Sequence, residues 1–132
     1  MSIVVGFIDT PEGNTAVQSA IDEAKLRSSR IVILHSMQGG HQKESEYLAS
    51  ADAIERVEQL LADSGVEYST HEYVRGNEPA EDIVAAAKTH EAELIVIGIR
   101  RRSATGKLLM GSNALDILHD APVPVLCVKA GQ

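Results

Sequence analysis

Short apolar runs alternate with longer stretches of helical periodicity along the whole chain. Ile3 to Ile8, Ile31 to His35, Ala92 to Ile97 and the run ending at Val128 are apolar almost without interruption. Each is too short for a core helix and too continuous for a half-exposed strand, which predicts strands buried on both faces. Val66 to Arg75 alternates only in part and predicts a strand near a sheet edge. Between these runs the spacing changes. Ala16, Val17, Ala20, Ile21 and Ala24 mark one face of a helix from about Gly13 to Ser28. Leu48, Ala51, Ile54, Val57 and Leu61 mark a second, closed by Ser64-Gly65. Asn77-Glu-Pro79 opens a third, with Pro79 in its first turn and Ala80, Ile83, Val84 and Ala87 facing inward. Ser112 to His119 forms a fourth, with Ser112 at the N-cap. Strands alternating with helices predict an α/β domain spanning residues 1–132, a parallel sheet covered on both faces.

Composition narrows what such a domain can do. Aromatic residues make up 3% of the chain against 44% hydrophobic, so Val, Ile, Leu and Ala build the core. A net charge of −7 and the shortage of stacking rings argue against nucleic acid or an anionic membrane as a partner. Cys127 is the one cysteine, which rules out an internal disulfide, suits a reducing compartment and reads as an inert core thiol. The first residues carry no basic region, and no apolar stretch approaches the ~20 residues of a membrane span. The expectation is a soluble, cytoplasmic protein.

Charge is unevenly distributed. No acid lies between Glu93 and Asp116, while Arg100, Arg101, Arg102 and Lys107 all do. That segment runs from a predicted strand through a loop bounded by Gly98 and Gly111 to a helix N-terminus. Outward amides, a helix dipole and glycines that admit close approach together make an anion site. A phosphate-bearing ligand is expected.

The same segment resembles the signature of the universal stress protein family, Gly-x2-Gly-x9-Gly-[Ser/Thr]. Gly98, Gly111 and Ser112 fall at its spacing, and Arg101 stands where the second glycine belongs. The strand ending at Asp9, the strand ending in His35-Ser36 and the run from Ala121 to Val128 also resemble that family's strands, in order and over nearly the whole chain. The resemblance implies a single doubly wound, Rossmann-like parallel sheet of five strands in the order 3-2-1-4-5. Strands 1 and 4 are then neighbours whose chains leave in opposite directions, opening a crevice beyond their C-terminal ends. It further implies ATP, with Mg²⁺, as the ligand of that crevice, in a stress-response sensor or signalling module. Ile8 and Asp9 would hold the adenine and ribose end, with Asp9 equally suited to capping the first helix. Ser36 would line the adenine, where an aliphatic residue is usual. Ile97 and Gly98 would flank the ribose, because a side chain at Gly98 would block the crevice. Gly111, Ser112 and Asn113 would contact ribose and phosphates. Arg101 either fills the phosphate pocket or reaches a phosphate with its guanidinium. A homodimer through the prolined last strand is also implied; a nucleotide-free dimeric interaction module of the same fold is the alternative.

Other chemistries fit poorly. Gly106-Lys107 lacks the leading glycine and the following Ser or Thr of a P-loop. A receiver domain needs an aspartate where Arg75-Gly76 stands. The five histidines show no metal spacing; His41 to Glu44 reads as a polar helix start and His35 as a hydrogen-bonded structural residue. No nucleophile adjoins a base in the sequence, so weak ATP hydrolysis is the most enzyme activity expected.

Overall fold

A computed structural model describes residues 1–35, 44–73, 77–99 and 112–130, and for 44–50 and 112 the backbone alone. Along these residues the chain alternates without exception: β1 (Ser2–Phe7), α1 (Pro11–Arg27), β2 (Arg30–His35), α2 (Glu44–Ser64), β3 (Tyr68–Glu72), α3 (Pro79–Thr89), β4 (Ala92–Ile99), α4 (Ser112–Asp120) and β5 (Val125–Lys129). The strands form one sheet in the order β3-β2-β1-β4-β5, and every pairing is parallel. This is the expected doubly wound topology.

Strand pleating divides the core in two. Ile3, Val5 and Phe7 of β1, with Ile31 and Ile33 of β2 and Leu94 and Val96 of β4, meet the inner faces of α1 and α2. Val4, Val32, Leu34, Ile95, Ile97 and Ile99 point the other way and meet α3 and Ile117 of α4. All six residues of β1 are buried, as its central place requires. At roughly 1.5–3 kcal/mol for each fully buried aliphatic side chain, these two faces supply the driving force that fixes the strand order.

The differences from the sequence reading are local. Helix α1 begins two residues early, at Pro11, because Thr10 caps it and proline suits the first helical position. On α3 the inner face carries Ala86, while Val84 is only partly buried. On α2 Ala53 joins Val57 and Leu61 in the core. Strand β3 is shorter than Val66 to Arg75, since it has a neighbour on one side alone. Ser112 is the first helical residue of α4 rather than the one before it. Gly65 ends α2 at φ 79°, as expected of a glycine stop, but α1 ends on Ser28 at φ 56° with no glycine. Cys127 lies partly buried, and burial pushes its thiol above the usual range, which keeps it protonated.

Candidate functional site

The middle of the sheet brings two of the sequence-predicted segments together. Gly6 of β1 pairs with Ile97 of β4, so the two strands end side by side. From there β1 turns into α1 on one face, and β4 leads toward α4 on the other. In such a sheet the chain leaves the two neighbouring strand ends in opposite directions.

The turn after β1 is tightly specified. Thr10 sits in an extended conformation (φ −140°, ψ 164°), and its hydroxyl accepts a hydrogen bond from the Gly13 amide at 3.0 Å. Its own amide donates to the Ile8 carbonyl at 2.8 Å. A Cβ on Gly13 would collide with that same carbonyl, so only glycine lets α1 start so close to the turn. Fixed in this way, the turn exposes the Ile8 side chain to 57% and leaves Asp9 in solvent. Thr10, not Asp9, caps the helix. Asp9 instead meets Arg56 of α2, with 3.4 Å between guanidinium nitrogen and carboxylate oxygen. An exposed aliphatic side chain beside an acceptor-only carboxylate suits a partner with one flat apolar face and nearby donors.

Gly98 is a packing residue near the end of β4. A Cβ there would lie 2.5 Å from the carbonyl oxygen of Glu12 and 3.0 Å from the Gly13 amide nitrogen. The first turn of α1 rests directly on β4 at this point. The expected reason for glycine, an open crevice, is therefore joined by close helix–strand contact. Ile97, one residue earlier, is buried on the α3/α4 face at 5% exposure and offers its backbone rather than its side chain. Asn113 is exposed in the first turn of α4. Ser36, Arg101 and Gly111 lie outside the described residues, as does the side chain of Ser112. Of the sequence-predicted set, the structure brings Ile8, Asp9, Ile97 and Gly98 to adjoining strand ends.

Two histidines, on β2 and β3, differ from the sequence expectation. His35 closes β2, opposite Phe7 in the register. It is buried to 7% exposure, and its Nδ1 finds no hydrogen-bond partner among the described residues. Burial lowers its pKa below the usual value, against the opposing pull of Glu72 and Glu58. His71, on the edge strand, has its Nε2 3.0 Å from the Ser69 hydroxyl, a nucleophile beside a base that the sequence did not reveal. Both residues stand on β3 at the sheet edge, and the pair is solvent-exposed. On the α3 side, the Tyr73 phenol packs over Gly6, and burial together with Asp82 raises its pKa far above the usual range.

Surface hollows among the described residues also lie elsewhere. One of about 470 Å³ sits where α1 and α2 end, lined by Lys25, Ser28, Arg30 and Gly65. Another of about 580 Å³ runs between α3 and α4, with Glu78, Glu81, Asp116 and Asp120 on its walls. No group of three or more His, Cys, Asp or Glu among the described residues is placed to hold a metal ion. No helix among them is long and apolar enough to cross a membrane.

Comparison with known proteins agrees with this architecture. The sequence model of the Universal stress protein family matches residues 1–129. A universal stress protein of Mycolicibacterium smegmatis is 39% identical over 127 residues, covering 96% of both chains. The solved structure of a universal stress protein from Archaeoglobus fulgidus superposes with a TM-score of 0.79 at 38% identity, covering 98% of each chain. A second structure, of the universal stress protein from Archaeoglobus fulgidus in complex with dAMP, gives a TM-score of 0.72 at 32% identity and the same coverage.

Proposed function

The chain belongs to the universal stress protein family, and on that footing we propose that it binds an adenine nucleotide where β1 and β4 end. The observation that carries the reading is the meeting of Ile8-Asp9 and Ile97-Gly98 at neighbouring strand ends. The dAMP complex of a relative 32% identical to this chain supports it. Ile8 offers an apolar surface to the base, and Asp9 accepts from a ribose hydroxyl or a base amine. The segment from Gly98 to Asn113, with four basic residues and no acid, receives the phosphates. ATP with Mg²⁺ is the form that the signature implies. The metal would travel with the phosphates, which suits its preference for few protein ligands. In this reading the domain senses or signals nucleotide state, and the fold acts by binding rather than by turnover.

Assembly is a second part of the proposal. Strand β5 pairs with β4 alone and presents Leu126 at 37% exposure, while Leu115 and Leu118 of neighbouring α4 are 54% and 41% exposed. A second copy of the chain laid along β5 would cover this edge. Titration calorimetry of the nucleotide-free protein with AMP and with Mg-ATP tests the ligand. Micromolar binding is expected; no heat at millimolar concentrations of either would leave the dimeric interaction module as the better reading.

A further inference from the structure

The guanidinium of Arg56 stands 3.4 Å from Asp9 Oδ1, although the two residues are 47 positions apart and on different elements. Asp9 lies in the turn between β1 and α1, and Arg56 comes from α2, which contributes nothing to the strand-end segments described above. Both side chains are open to water, Arg56 at 63% and Asp9 at 45% relative exposure. An ion pair this exposed adds little to folding stability. It can still act on binding, because a carboxylate on a turn samples several rotamers and a ligand gains from finding it already oriented.

We infer that Arg56 is a positioning residue for the nucleotide: it holds one oxygen of Asp9 and leaves the other as the acceptor for the nucleoside. This rests on the adenine-nucleotide reading and deepens it by bringing α2 into the site. The alternative role for a cation near Asp9 is direct contact with phosphate. The two differ in what the phosphates do to the effect. A positioning residue acts at the nucleoside end and weakens every adenine ligand by the same factor. A phosphate ligand matters more as phosphates are added.

The test is calorimetric titration of the whole chain with adenosine, AMP and Mg-ATP, for wild type, Arg56→Ala, Arg56→Lys, Asp9→Asn and the Arg56→Ala/Asp9→Asn double variant. Arg56→Ala is expected to weaken all three ligands by one common factor, about two- to fivefold, the range an exposed ion pair supports. Arg56→Lys recovers part of the loss. In the Asp9→Asn background Arg56→Ala adds no further loss, and high salt narrows the gap between Arg56→Ala and wild type. Thermal melting of the variants at the wild-type temperature shows that a general structural change is not the cause. Unchanged or tighter binding in Arg56→Ala overturns the inference while leaving the nucleotide reading intact. So does a loss that grows from adenosine to ATP, or one that persists in full on Asp9→Asn. Wild-type protein that binds none of the three removes the nucleotide reading and this inference together.

Discussion

Gly98 is held to glycine by packing, since the first turn of α1 rests on it. Replacing a strand glycine by alanine ordinarily stabilises by about 0.4–1 kcal/mol, through the unfolded chain. Here the added methyl would meet the Glu12 carbonyl at 2.5 Å, and backbone atoms do not yield as side-chain ends do. Gly98→Ala is therefore expected to destabilise by about 1–3 kcal/mol, measured by denaturant unfolding; a gain in stability would contradict the contact. His35 carries a second residue-scale expectation. Burial lowers its pKa, and burial, His71 and Arg30 lower that of His90. A histidine with a depressed folded-state pKa stabilises above its unfolded value of about 6.5 and loses that contribution as pH falls through it. The melting temperature should thus drop between pH 7.5 and 5.5. His119 works in the opposite direction through Asp120, but from a fully solvated position. His35→Leu removes a buried nitrogen that has no hydrogen-bond partner among the described residues, so it should be near neutral at pH 7.5 and flatten the decline. An equally steep decline in the variant would remove His35 from the account. None of this was legible locally. The sequence marks Gly98 and His35 as notable, but which atoms press on them depends on α1 and α2 folding back over the sheet.

Elements were read more easily than their ends. Continuous apolar runs located β1, β2, β4 and β5, and helical spacing located α1 and α3, because burial on a pleated or helical surface imposes its period on the sequence. Ends are set by single hydrogen bonds. The apolar stripe from Ala16 to Ala24 places the start of α1 near Gly13, whereas the Thr10 hydroxyl bonded to the Gly13 amide starts it earlier. Partial alternation from Val66 to Arg75 predicts a longer β3, because it continues beyond the residues that pair with β2. The other edge, β5, makes a prediction at this scale. If a second copy pairs along it, Leu126→Lys should turn a dimer into a monomer in sedimentation velocity, with the fold retained. A wild-type chain that sediments as a monomer at all concentrations would contradict the paired edge.

For the molecule as a whole, topology does what no single motif can. Nothing in Ile8-Asp9 or in Ile97-Gly98 places one beside the other; the crossover from β1 to β4 does. The order of the strands was legible through resemblance, and the family is shown by a match across residues 1–129. The site was legible only as a set of positions. The ion pair between Asp9 and Arg56 left no trace in the sequence, since Arg56 falls between Ile54 and Val57 as any outward helix residue would. The role of Gly13 was equally hidden, because a glycine in the first turn of a helix looks unremarkable until the Ile8 carbonyl lies against it. At 14.1 kDa the chain is small enough for the location of a bound nucleotide to be read amide by amide. The measurement is a ¹⁵N–¹H NMR titration of the labelled protein with AMP. Binding at the ends of β1 and β4 predicts shifts concentrated at Ile8, Asp9, Gly98 and the first turn of α4, with the hollows near Lys25 and between α3 and α4 undisturbed. Shifts centred on either hollow, or none at millimolar AMP, would contradict it.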